Sequence, residues 1–274
     1  LMFSLISGSM ILIWLGDLVT EYGVGQGISL LIFVGIVSRL PSGVLNMFSL
    51  ADKYNILTVL IIITVTILLI AAIVLVNEGT RNIPIEYGRR GVRSQKVTNF
   101  LPIKINQAGV IPIIFAVSLV LVPSLISGPL SATSSGFLQK VGGFLASNFS
   151  SNAILYNLFY FFLVFGFTFF YTFMQFDPEK IADDVKKRGG FIPGIRPGRA
   201  TAAYLKSITI RVTLAGAIFL GFIAILPYII QSATGVANLT IGGTGILIVV
   251  SVVLDTIRQM ESMMVTRNYQ SFLQ

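Results

Sequence analysis

Apolar residues in this chain run in long unbroken blocks instead of alternating at a strand period or recurring at a helical one. Six blocks, 1–16, 28–48, 55–76, 108–127, 154–175 and 208–230, reach or approach the roughly 20 residues that a helix needs to cross a bilayer. A seventh, 241–257 (IGGTGILIVVSVVLDTI), is shorter but continuous. Between the blocks the sequence turns polar or rich in Gly, Ser and Pro. The pattern predicts an all-α polytopic membrane protein with about seven membrane helices. One interval has a different rhythm. Residues 81–100, RNIPIEYGRRGVRSQKVTNF, alternate apolar and polar around Gly88 and Gly91, which predicts two short strands with a basic tip.

Composition sharpens the class. Of 274 residues, 54% are hydrophobic and 11% charged, under half the charge of an ordinary soluble domain. There is no Cys and no His, so disulfides, Cys/His metal sites, His-Glu-x-x-His zinc proteases and His-based proton relays are excluded. The opening run, LMFSLISGSMILIWLG, lacks the basic leading region and the small-residue cleavage site of a signal peptide. It begins inside an apolar block, and a longer chain is expected upstream.

Charge placement gives the sides. Segment 77–105 carries six basic and two acidic residues, and segment 176–211 carries eight basic and four acidic, a net of +4 each. The rest of the chain balances at five of each sign, so these two segments account for the whole net charge of +8. Two blocks lie between them, which puts both on one face, and the positive-inside rule makes that face cytoplasmic. By the same count EYGVGQG (21–27) and the C-terminal tail share that side, whereas Lys140 and the Ser/Gly-rich SGPLSATSSG (127–136) lie opposite. The expected location is a cell membrane, spanned several times.

The middles of the blocks hold no Asp, Glu, Lys or Arg, with Asp255 and Arg39 read as lying towards span ends, within reach of the interface. An ion-coupled secondary transporter of a small solute is the alternative function, but such carriers place ionisable groups at mid-membrane. An intramembrane hydrolase needs paired acids, a metal or an activated nucleophile there. A passive conduit needs none of these. The expectation is a non-enzymatic protein without cofactors.

Several short stretches bear on function. Gly23-Val24-Gly25-Gln26-Gly27 looks like a phosphate cradle, but no strand precedes it, and it reads better as a flexible lead into a membrane helix. Ile28 and Ile32 lie one turn apart on the helix that follows; as residues they read like ordinary packing isoleucines, as do Ile114 and Ile248. Asn106 and Gln107 precede AGVIPIIF, where they either cap the helix entry or sit as polar groups in a helix–helix seam. GGFIPGIRPGR (189–199) interrupts the greasy pattern with Pro193, Pro197 and four glycines, which stiffen a non-helical loop around Arg196.

Four segments, GQGISLLIFVGIVSRLP, LPIKINQAGVIPIIFA, FIPGIRPGRATAAYL and GGTGILIVVSVVLD, resemble the SecY protein-translocation channel family in order and spacing, and the similarity extends over essentially all 274 residues. The resemblance implies a SecY-type helical bundle with a small cytoplasmic β-hairpin-like loop. Residue 1 matches the start of the fourth of ten membrane helices. The implied parts are 1–76 (helices four to six), a basic cytoplasmic hairpin loop at 77–107, and 108–274 (helices seven to ten) with a cytoplasmic loop at 176–207. Family function then implies a conduit for unfolded polypeptides, which also releases membrane segments sideways into lipid. By position, Ile28, Ile32, Ile114 and Ile248 match an apolar pore ring, and Asn106 a lateral-gate position. Arg196 and Arg199, with Arg89, Arg90, Arg93 and Lys96 of the hairpin tip, match docking residues for the SecA motor ATPase or the ribosome. Other implied partners are the SecE and SecG subunits, the nascent chain, signal peptides and membrane lipid. The hairpin tip is shorter than the family pattern.

Overall fold

The structure is a computed structural model that describes residues 2–23, 25–39, 41–42, 56–87, 98–133, 136–150, 153–234 and 243–271. The chain divides into two compact units, residues 1–74 with 231–274, and residues 75–230.

The first unit holds α1 (Met2–Tyr22), α2 (Gly27–Val37), most of α3 (Ile56–Glu78) and α10 (Gly243–Ser271). The link between α1 and α2 is tight. Thr20 Oγ1 donates to the Gly16 carbonyl at 2.9 Å and accepts from the Gly27 N–H at 2.8 Å. A Cβ on Gly27 would run into the Gly16 carbonyl oxygen, so only glycine lets the two backbones touch. Gly25 adopts φ 94°, a left-handed conformation that glycine tolerates. Gly27 is thus held at the corner, its N–H spent on Thr20. Helix α2 packs on α1 and on α10.

The second unit combines a sheet with helices. Strand β1 (Thr80–Tyr87) pairs antiparallel with β2 (Thr98–Lys104), from Thr80↔Lys104 to Glu86↔Thr98. The two expected strands are present, and a third joins them. The two-residue β3 (Gly190–Phe191) pairs with the other edge of β1 through Glu86↔Phe191 and Tyr87↔Gly190. The unit also holds α4 (Ile111–Val120), α5 (Val122–Ser131), α6 (Gly136–Asn148), α7 (Ile154–Gln175), α8 (Pro178–Lys187) and α9 (Arg199–Thr234). The expected block 108–127 is split at Leu121, because Pro123 has no N–H to give the Leu119 carbonyl and its ring crowds that oxygen.

Among the described residues, five spans are long and apolar enough to cross a membrane: α1, α3, the α4–α5 pair, α7 and α9. The count differs from the seven expected for two reasons. Helix α2 covers only the first 10 residues of the block 28–48, and 43–55 lie outside the described residues. Helix α10 is 29 residues long but carries Asp255, Arg258 and Glu261 beyond its apolar start.

Helices α7 and α9 show how a membrane helix selects its inner face. In α7 the buried positions are Asn157, Tyr160, Val164, Thr168 and Thr172, a single stripe at three- and four-residue spacing. Phenylalanines such as Phe162 and Phe170 point outward. In α9, Thr201, Leu205, Thr209, Thr213, Ala217, Leu220 and Ala224 form the buried stripe. Small residues there permit close approach. A Cβ on Gly216 would lie 2.5 Å from the Ile105 carbonyl oxygen, and one on Gly221 would lie 2.6 Å from the Phe161 ring.

Gly216→Ala is therefore expected to destabilise the protein by about 1–3 kcal/mol, the usual cost of overpacking. Gly166→Ala, on an open face of α7 with nothing near the added methyl, should be neutral or slightly stabilising. Thermal unfolding of both variants in detergent checks the pair, and equal midpoints would contradict the close approach.

Candidate functional site

The sheet is the foundation of the polar end of the second unit. Alternation along β1 turns Ile83 and Ile85 inward. Ile83 and Ile103 join Phe176, Ala182, Ile192 and Leu205 in one buried cluster, with Leu101, Ile181, Ile195, Ala202, Ile208 and Val212 packed against it. Both β strands, α8, the 189–199 loop and the start of α9 therefore share a core. Helix α8 is started by Asp177, whose side chain accepts from the Glu179 and Lys180 N–H groups at 3.0 and 3.3 Å, followed by Pro178 in the first turn. Burial of Ala182 and Pro178 turns its charged residues outward.

The 189–199 loop is built from two Pro-Gly pairs. Ile195 N–H donates to the Ile192 carbonyl at 3.0 Å, with Gly194 at φ 81° after Pro193, the geometry of a type II turn. Gly198 follows Pro197 at φ 107°. Thr201 Oγ1 donates to the Arg196 carbonyl at 3.0 Å, which ties the loop to the first turn of α9. Ile192 is buried and Ile195 half-buried, whereas Arg196 and Arg199 are exposed. Two isoleucines thus anchor the loop from below, and the guanidinium of Arg196 stands outside on a backbone with little freedom. Gly190 sits where a Cβ would press on Tyr87, Val185 and Ile85, so β3 lies flush between hairpin and α8. Of the hairpin-tip residues, Arg89, Arg90, Arg93 and Lys96 lie outside the described residues.

Asn106 does not cap α4, whose N-cap is Val110 without a side-chain bond. Its Nδ2 instead donates to Asn77 Oδ1 in the last turn of α3 at 2.9 Å. Beside it, Ile105 N–H donates to the Gly79 carbonyl at 2.9 Å. The end of α3 and the approach to α4 are therefore clasped at the base of the hairpin. Asn106 is 7% exposed, and its Oδ1 and the Gln107 Oε1 are buried without a protein partner. Of the two readings left open by the sequence, the polar pairing is the one observed.

Ile28 lies in the first turn of α2 and is 50% exposed, and Ile32 is half-buried one turn on. Ile248 is half-buried on α10, which packs against α2. Ile114 is half-buried in the first turn of α4, within the other unit. Sequence reasoning missed Asn77, the anchoring role of Ile192 and Ile195, β3, and α6. Of these only the isoleucines carried a signal, as apolar residues flanking turn-forming Pro-Gly pairs.

The spans, the small sheet and the sheet-bound basic loop define a multi-pass helical membrane protein with a structured polar end. Residues 1–257 match the SecY family. The Thermotoga maritima "Protein translocase subunit SecY" is 45% identical over 274 residues, covering 98% of this chain and 60% of that protein. The Mycobacterium tuberculosis protein of the same description is 42% identical over 277 residues, covering 97% and 62%. Two solved structures share the fold. One is described as "The structure of a protein conducting channel" (TM-score 0.64, 23% identity, 93% of this chain and 63% of that one). The other concerns the plug domain of the SecY protein (TM-score 0.61, 23% identity, 93% and 64%). This chain belongs to the SecY family, and it spans about 60% of the length of the curated relatives it matches.

Replacing Asn77 by Ala removes the acceptor for the buried Asn106 amide, and the expected cost is about 1–3 kcal/mol, the penalty for an orphaned buried polar group. The double variant Asn77→Ala/Asn106→Ala should recover part of that loss. Unfolding midpoints that fall additively would contradict the pairing.

Proposed function

We propose that these residues form the C-terminal portion of the channel subunit of a protein translocase, a conduit for unfolded polypeptide with a sideways exit into lipid. The observation that carries the reading is the family match across residues 1–257. The conduit performs no covalent chemistry; a partner supplies the driving force. In this reading the blocks 28–48 and 241–257 complete seven membrane helices, and the chain divides into 1–76, the hairpin loop 77–107 and 108–274. The basic segments 77–107 and 176–207 and the C-terminus face the cytoplasm, as their excess of Lys and Arg favours.

Ile28, Ile32, Ile114 and Ile248 are the ring that seals the conduit. Branched aliphatic side chains dewet a narrow passage and so block ions, yet offer a sliding chain no polar partner to stick to. Asn106, paired with Asn77, is a polar latch at the lateral gate, where a signal peptide would partition into lipid with its apolar surface. Arg196 and Arg199, with Arg89, Arg90, Arg93 and Lys96, dock the SecA motor or the ribosome. Arginine suits this because five donors in a rigid fork hold geometry as well as charge. The anchored, doubly turned loop supports the reading, since a pre-ordered cation loses less entropy on docking. SecE and SecG are the companion subunits.

Arg196→Glu in the complete protein is expected to lower motor-driven export by at least about tenfold, equivalent to 1.4 kcal/mol of docking free energy. Membrane insertion of the subunit should be unaffected. Export assays in inverted membrane vesicles decide this, and a wild-type rate would remove the docking role. Replacing Ile28, Ile32, Ile114 and Ile248 together by Ser should wet the constriction and raise resting ion conductance in planar bilayers. An unchanged conductance would remove the seal.

A further inference from the structure

Helix α6 was not expected from the sequence, and nothing above gives it a role. Its residues, GFLQKVGGFLASN, sort into two flanks at 100° per residue. Gly142 faces α5 so closely that a Cβ there would lie 2.5 Å from the Ser131 nitrogen, so α5 and α6 meet backbone to backbone. On one side of that contact Leu138, Leu145, Val141, Phe137 and Phe144 form an apolar arc, joined only in the last position of the helix by Asn148. On the other side lie Gln139, Lys140, Gly143 and Ser147. Among the described residues nothing covers the outer part of this arc: Phe137 is 76% exposed, Phe144 57% and Leu138 39%, while Val141 and Leu145 are half-buried.

Depth follows from the connections. Helix α6 follows the span Ile111–Ser131, whose 21 residues correspond to about 30 Å of helix, and so lies at the end of that span remote from the sheet. Past α6, the Phe149 ring meets the Phe159 ring of α7 edge-on at 5.7 Å. Phe159 lies five residues inside α7, about 7.5 Å along its axis. This holds the end of α6 just inside the limit of the second span. Lys140 is the only charge between Lys104 and Asp177, and it falls on the polar flank.

We infer that α6 is an interfacial helix seated in the bilayer leaflet remote from the sheet, with the Phe137–Val141–Phe144 flank in the acyl boundary and the Lys140 flank in water. The occupant of the apolar flank is lipid. At the adjoining span ends Leu125, Ile126 and Ile154 are exposed as well. The helix is tied at the depth, about 5–10 Å below the surface, where amphipathic helices partition. A two-flanked helix of this kind fixes how far the α5–α6 hairpin can rise or sink.

The absence of cysteine from these 274 residues makes site-directed spin labelling direct. Nitroxides are attached at Phe137→Cys, Phe144→Cys, Gln139→Cys and Gly143→Cys in the complete translocase reconstituted in lipid vesicles, with any cysteine elsewhere replaced. Collision with oxygen, which concentrates in acyl chains, and with a water-soluble nickel chelate is then measured for each label. Labels at 137 and 144 should collide with oxygen several-fold more than with the chelate, and labels at 139 and 143 the reverse. Chelate-dominated collisions at 137 and 144 would overturn the inference by placing the flank in water. Low collision with both reagents would overturn it as well, by assigning the flank to a partner subunit, a second copy or an upstream part of the chain. The two labels on each flank guard against one variant that fails to assemble.

Discussion

A backbone amide in hydrocarbon has no water to bond to, and nearly every feature of this chain follows from that one deprivation. The long apolar blocks become helices because only a helix satisfies its own N–H and C=O groups in place. Irregular backbone then needs special provision. At the α1–α2 corner the Thr20 hydroxyl serves both the Gly16 carbonyl and the Gly27 N–H. At the base of the hairpin, Gly79 and Ile105 bond to each other. At the charged end of the second unit, a sheet and two Pro-Gly turns supply the partners for non-helical backbone.

That segregation divides the labour in the second unit. The helices carry length and an inert surface, and the sheet carries shape. Ile83, Ile103, Phe176, Ala182, Ile192 and Leu205 make a small soluble-style core on a membrane protein. The core is what allows an exposed arginine to be held rather than merely attached. Removing Ile192 or Ile195 from beneath Arg196 would leave the charge in the sequence but loosen its position.

Much of this was legible beforehand, for reasons that vary by element. Helix α7 coincides with its apolar block, 154–175, because composition alone dictates a span. Helix α9 starts nine residues before its block, since Arg199–Ser207 is amphipathic and average hydropathy overlooks it; the four-residue recurrence of Thr201, Leu205 and Thr209 was the readable sign. The hairpin strands followed from alternation. Helix α8 hid in a charged run, although Asp177 followed by Pro178 is a helix-start signal. Strand β3 and the Asn77–Asn106 bond were not legible, because each is a pairing across many residues to which local pattern is blind. No role for Ile28, Ile32, Ile114 or Ile248 could be read from the residues alone, for the opposite reason: chemically they match dozens of neighbours.

The threonines of α7 have a packing consequence. Thr168 and Thr172 are fully buried, yet each hydroxyl donates to a carbonyl four residues earlier on its own helix, at 2.7 Å. Thr209 in α9 does the same at 2.9 Å. The polarity of these three hydroxyls is consumed within their own helices. A hydroxyl bonded to its own helix asks nothing of the helix beside it, so these three threonines pack there much as valines would.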